Sequence, residues 1–269
     1  MSNQPSKGTA LVTGASTGIG AVYADRLAQR GYDLILVARS QDKLDQVAAK
    51  IRSSTGRNVE TLKADLAHPA DVNRVAHRLS TDGSIAALVN NAGIGAVGKL
   101  FESDPAYYEQ MIQINVTALT RLALAAAAEF SSRGHGLIIN IGSVVALAPE
   151  RLNGVYSGTK GYVQNFSISL KNELAGKGVQ VQLVLPGVTA TPIWEKAGMP
   201  VTNLPAEMVM TTEDMVDASL AGLDLGEFVT IPSLPDAGDF DFYEKARTAL
   251  LPNLSRKDPA ARYGVTVRG

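Results

Sequence analysis

The chain has 269 residues, 45% hydrophobic and 19% charged, with no cysteine and a formal net charge of −1. That apolar content excludes wholesale disorder, the missing thiols exclude disulfides and a cysteine nucleophile, and the near-neutral balance offers no basic field for nucleic acid. Residues 1–7 lack the apolar core of a signal peptide, and the longest near-apolar run, 122–128, is bounded by Arg121 and Glu129, short of the roughly 20 residues a bilayer crossing needs.

In chain order, short β-branched apolar runs predict strands at 9–13, 33–38, 59–64, 85–90, 136–142, 179–185 and 227–231. Helical patterning fills the gaps at 18–29, 40–54, 69–80, 105–131, 154–176 and 212–223, with a further helix at 239–250. Strands such as Leu34-Ile35-Leu36-Val37-Ala38 and Leu137-Ile138-Ile139-Asn140-Ile141 are apolar on both faces, as helices covering both sides of a sheet require. The expected fold is a single α/β domain over 1–269, with a doubly wound parallel sheet of about seven strands. Residues 190–211 break the rhythm with prolines, methionines and Trp194, and are read as a substrate lid. Residues 236–269 form a C-terminal extension whose basic end is read as solvated tail.

Chemistry enters where the first strand ends. Thr13-Gly14-Ala15-Ser16-Thr17-Gly18-Ile19-Gly20 opens the first helix, where glycines allow close backbone approach and free N–H groups favour a phosphate. About 20 residues on, where an acidic residue would take the ribose 2′-hydroxyl of NAD, the second strand ends Ala38-Arg39. A guanidinium there suits a 2′-phosphate, so NADP(H) is the expected cofactor.

Further motifs follow in order: Asp65 after the third strand, Asn90-Asn91-Ala92-Gly93 after the fourth, Asn115, Ser143 after the fifth, Tyr156-Ser157-Gly158-Thr159-Lys160, and Pro186-Gly187 after the sixth. With the glycine turn they make the chain resemble the short-chain dehydrogenase/reductase family along nearly its whole length. The resemblance implies a Rossmann-type fold and four catalytic residues, Asn115, Ser143, Tyr156 and Lys160. It also implies cofactor contacts from Gly14, Ser16, Thr17, Gly18, Ile19, Gly20 and Arg39, with Asp65 and Leu66 near the adenine. Asn91, Ala92 and Gly93 would lie along the adenosine side, Val188 and Thr189 at the nicotinamide carboxamide, and Tyr156 and Lys160 beside the cofactor. Asn115 is expected to interrupt its helix.

The chemistry of these residues stands beside the resemblance. Tyr156 and Lys160, four apart on a helix, share one face. A nearby ammonium and an oxidised nicotinamide are expected to favour the phenolate, so that Tyr156 works as general acid and base on a carbonyl or secondary alcohol. Ser143 would orient the same substrate oxygen. His68, His77 and His135 have no ligand-spaced partners, so no metal is assigned.

The pocket is expected from 144–152, the lid and the C-terminal helix, which suits a largely apolar carbonyl substrate. Many family members end their last strand in a Val-Asp-Gly-Gly type segment that packs into a tetramer, whereas this chain reads Val229-Thr230-Ile231-Pro232. A homo-oligomer is therefore expected either as a tetramer or as a dimer through 105–131 and 154–176, in the cytoplasm. The rival reading is a dinucleotide-binding regulatory or scaffold protein that performs no chemistry.

Overall fold

A computed structural model describes residues 6–101 and 103–265. The chain divides into two compact units, Met1–Pro232 and Ser233–Gly269. The first runs β1 (Thr9–Thr13), α1 (Gly18–Gln29), β2 (Asp33–Ala38), α2 (Gln41–Thr55), β3 (Val59–Lys63), α3 (Pro69–Thr81), β4 (Ile85–Asn90), α4 (Pro105–Ile112), a π-helical turn (Gln113–Ala118), α5 (Leu119–Arg133), β5 (Gly136–Ile141), α6 (Gly154–Glu173), β6 (Val179–Val184), α7 (Ile193–Lys196), α8 (Thr212–Asp224) and β7 (Val229–Thr230). The strands form one parallel sheet in the order β3-β2-β1-β4-β5-β6-β7.

That order reverses between β1 and β4, and in open α/β sheets the crevice beyond the strand ends at such a reversal is where ligands sit. Two apolar layers hold the sheet. Ala10, Val12, Leu34 and Leu36 pack on one face with Tyr23 and Leu27 of α1 and Leu44 of α2. Leu11, Ile35, Val37 and Leu88 pack on the other with Val75 of α3 and Leu122 and Phe130 of α5. Alternate residues of each strand thus face opposite layers, which explains why the strands read as continuous apolar runs.

Element bounds depart from the sequence expectation at few points. α6 ends at Glu173 rather than near 176, because Gly176 and Gly178 adopt positive φ (75° and 71°) and turn the chain into β6. The last strand shortens to Val229–Thr230. The 105–133 helix, taken whole, is long and apolar enough to cross a membrane, which the count of its uninterrupted apolar residues did not register; half of its most apolar window is buried inside the fold, as in a core helix.

The second unit contains α9 (Ala237–Ala249), whose start is capped by Asp236 accepting from the Gly238 N–H at 2.8 Å. Glu244 and Arg247 pair along it. None of its described residues is buried.

Candidate active site

The glycine turn leaves β1 with Gly14 at φ 66° and Gly18 at φ 56°, conformations that a side chain would strain. At Gly20 a Cβ would collide with the Gly14 carbonyl, so helix α1 can lie this close only without one. Thr17 at the N-cap makes no side-chain cap and the first turn holds no acidic residue, which leaves the helix start open to an anion. This is a cradle that fits a pyrophosphate.

The Thr13 hydroxyl, which sequence reasoning passed over, ties the turn to the next motif. It donates to the Val89 carbonyl at 3.2 Å and accepts from the Asn91 and Ala92 N–H groups at 3.0 Å each. The Asn91 amide donates back to the Thr13 carbonyl at 3.0 Å. Gly93 lies against Asn115, since a Cβ there would come within 3.1 Å of Asn115 Oδ1.

Arg39 is exposed beyond β2 and has no side-chain partner among the described residues. Asp65 accepts from the Ala67 N–H at 3.0 Å and so closes a turn after β3, with Leu66 buried beside it. Its other oxygen is 3.9 Å from exposed His68.

Asn115 sits in the π-helical turn, buried at 1% exposure. Its Oδ1 accepts from the Ile94 N–H at 3.0 Å, while Nδ2 donates to the Ile94 carbonyl at 2.9 Å and the Thr159 hydroxyl at 3.1 Å. The expected helix interruption therefore has a definite form: one wider turn that brings an amide to the loop after β4 and to α6.

Ser143 follows β5, held by Gly142 N–H donating to Val184 at 2.7 Å and Val144 N–H donating to Pro186 at 3.0 Å. Tyr156 and Lys160 project from the first turns of α6. The Ser143 hydroxyl lies close enough to the Tyr156 phenol to favour its ionised form. Lys160 is buried, donates to the Ile141 carbonyl at 2.9 Å, and holds its ammonium 5.8 Å from the centre of the Tyr156 ring.

Burial pushes the Tyr156 phenol up to about 12, and the nearby Ser143 hydroxyl offsets only part of this. Burial also lowers the Lys160 ammonium to about 8. Desolvation, which disfavours whichever form is charged, outweighs the ammonium's attraction for a phenolate. A phenol raised this far keeps its proton at neutral pH.

Beyond β6, Thr189 is buried and pairs with Met210 in an isolated parallel bridge, so the two ends of the 190–211 segment meet. Trp194 Nε1 donates to the Thr189 carbonyl at 2.9 Å. Ile193 and Tyr156 both border Gly95, and Thr191 and Pro192 border Gly18. The segment thus touches both the glycine turn and the loop beside the phenol.

Residues 8–200 match the family model for short chain dehydrogenase. The chain is 31% identical over 219 residues to 17-beta-hydroxysteroid dehydrogenase type 3 of Homo sapiens, the match covering 81% of this chain and 68% of that protein. Among solved structures it resembles a short-chain dehydrogenase from Sphingobium yanoikuyae in complex with NADPH, at TM-score 0.91 and 46% identity over 96% of this chain and 98% of that one. It also resembles the bulky-bulky ketone specific alcohol dehydrogenase from Comamonas testosteroni, at TM-score 0.88 and 40% identity over 97% and 99%.

Proposed function

The chain belongs to the short-chain dehydrogenase family, and from that membership we propose that it is an NADP(H)-dependent carbonyl reductase, with the whole chain acting as one catalytic domain. The observation that carries this reading is the desolvated Tyr156 phenol with the Ser143 hydroxyl near it and the buried Lys160 ammonium 5.8 Å from its ring, at the strand ends next to an uncapped helix start. The NADPH bound by the Sphingobium yanoikuyae relative supports the cofactor.

When bound, the cofactor supplies the hydride. Gly14, Ser16, Thr17, Gly18, Ile19 and Gly20 would hold its pyrophosphate, and the exposed guanidinium of Arg39 its 2′-phosphate. Asp65 and Leu66 would border the adenine and Asn91, Ala92 and Gly93 the adenosine side. Val188 and Thr189 would bond the carboxamide, and Lys160 a ribose hydroxyl.

Tyr156 gives its proton to the substrate's carbonyl oxygen as charge grows there, and Ser143 donates to the same oxygen and fixes its direction. Lys160, anchored by Ile141, stabilises the phenolate left behind. Asn115 holds the Ile94 loop against α6 through Thr159, and so keeps the floor under Lys160 in register. A phenol raised to about 12 is protonated at neutral pH, the form that reduction consumes.

The substrate is a ketone, or in reverse a secondary alcohol, carrying bulky apolar groups. Apolar side chains such as Val144, Leu147, Ile193 and Trp194 in the segments around the site, and the substrate named for the Comamonas testosteroni relative, support that class. We further propose a cytoplasmic homo-oligomer, dimer or tetramer, with 190–211 as lid. The test is NADPH oxidation with a panel of diaryl, steroid, 3-oxoacyl and small aliphatic ketones. Turnover should be highest with two large substituents; no NADPH-dependent turnover of any member would overturn the reading.

A further inference from the structure

Asn153 lies three residues before Tyr156 and none of the family motifs includes it. It is 5% exposed, and its side chain makes four hydrogen bonds, two through each end. Oδ1 accepts from the Val155 and Tyr156 N–H groups at 2.9 and 3.4 Å, capping α6. Nδ2 donates to the Gly98 carbonyl at 2.9 Å and to the Tyr108 hydroxyl at 2.8 Å. Few positions use the whole capacity of an amide in this way.

The donors reach the loop after β4, whose early part borders the phenol: a Cβ on Gly95 would be 3.8 Å from Tyr156 Cε2. This loop has no regular structure and is held by side chains. Asn115 holds Ile94, Tyr107 donates to Gly95 at 2.7 Å, Asn153 holds Gly98, and Tyr108 donates to Leu100 at 3.1 Å. Asn153 bonds both this loop and the backbone of the helix turn that carries Tyr156.

We propose that Asn153 is a positioning residue that locks the 94–101 loop to the first turn of α6 and thereby fixes the Tyr156 hydroxyl relative to the substrate oxygen. The proposal rests on the reading of Tyr156 as proton donor. A cap would be served equally by Ser or Asp; only the amide also reaches two acceptors in the loop. Released from Gly98, the loop no longer confines the ring, and a displacement of about 1 Å at a reacting group costs as much as roughly a hundredfold in rate.

The test uses Asn153→Asp and Asn153→Ser, which keep the cap and lose the donors to Gly98 and Tyr108. In both, kcat for ketone reduction should fall about 10- to 100-fold, NADPH affinity should stay within about twofold, and the solvent deuterium isotope effect on kcat should rise as proton transfer becomes limiting. Turnover within about twofold of the parent with an unchanged isotope effect would overturn the proposal, leaving Asn153 a helix cap. Should both variants fail to fold, Tyr108→Phe keeps the cap and removes one partner. It must lower kcat and raise the isotope effect, and an unchanged kcat overturns the proposal. Retained turnover in Tyr156→Phe would instead overturn the proton-donor reading, and this proposal with it, whatever the Asn153 variants do.

Discussion

Strand β5 buries five of its six residues, and Ser143 just beyond it is flanked by backbone bonds from Gly142 to Val184 of β6 and from Val144 to Pro186 after it. The 190–211 segment that follows β6 has no buried residue among those described; it is tied down by the Thr189–Met210 bridge, the Trp194 bond to Thr189, the packing of Met210 on the core, and the approach of 191–193 to Gly18 and Gly95. The reacting groups stand on the first kind of structure, where apolar layers and redundant hydrogen bonds fix positions. The second kind holds few contacts that opening would break, and such segments unfold locally at low free energy. On the proposed reading, a site that holds a proton donor still and yet admits a bulky substrate needs both.

The sharpest way to break this contrast is at the floor. Lys160→Ala removes the ammonium and empties its buried site, so kcat should drop by at least about a hundredfold and NADPH should bind more weakly, both read by stopped-flow reduction and cofactor titration. An unchanged NADPH affinity would remove the ribose role and leave only the phenol's support.

Arg39 lies at the floor's exposed margin, so its effect should be smaller and selective. Arg39→Ala should weaken NADPH about ten- to a hundredfold, as for loss of a charge-assisted hydrogen bond of roughly 1.5–3 kcal/mol, and leave NADH nearly unaffected. Comparison of kcat/KM for the two cofactors on one ketone decides it.

The floor's burial also sets the pH response. Because the Tyr156 phenol is raised to about 12, its proton is retained through neutral and moderately alkaline pH. Ketone reduction should therefore stay level across that range and fall only as the phenol ionises. Alcohol oxidation, which starts from the phenolate, should climb with pH over the same range. A reduction rate that falls from pH 7 upward, with an ionisation assigned to Tyr156, would contradict the balance between desolvation and the ammonium.

The roof gives the smallest effect. Hydrogen exchange should be fast at 190–211 and slow at β5 in the ligand-free protein, and Trp194→Phe should raise KM for a bulky ketone about fivefold by loosening one anchor of about 1 kcal/mol. Equal protection of the two segments would remove the lid.

How much of this was legible in the sequence follows the same division. β1, β2 and β4 fall where the apolar runs put them, because residues buried on both faces leave little choice of period or end. The shared face of Tyr156 and Lys160 was legible from helix periodicity, whereas the place of Ser143 beside them came from the family resemblance. The turn at Gly176 and Gly178 was missed since helical patterning runs on into it and only the left-handed φ values end it. The form of the interruption at Asn115 was not readable, because a π turn alters hydrogen-bond register without altering composition. Nor was the charge balance, since desolvation depends on every neighbour at once. Asn153 could have been found: an Asn directly before a helical run, three residues ahead of the reactive tyrosine, is an N-cap signal.

The central claim is that a neutral Tyr156, held on a rigid floor, donates the proton that completes carbonyl reduction. The most direct test is single-turnover reduction of a bulky ketone by Tyr156→Phe preloaded with NADPH. The account predicts NADPH affinity within about twofold of the parent and a reduction rate lowered by about a thousandfold or more, because the lost hydroxyl acts chiefly in the transition state. A variant that binds NADPH normally and keeps more than about a tenth of the parent rate would contradict it.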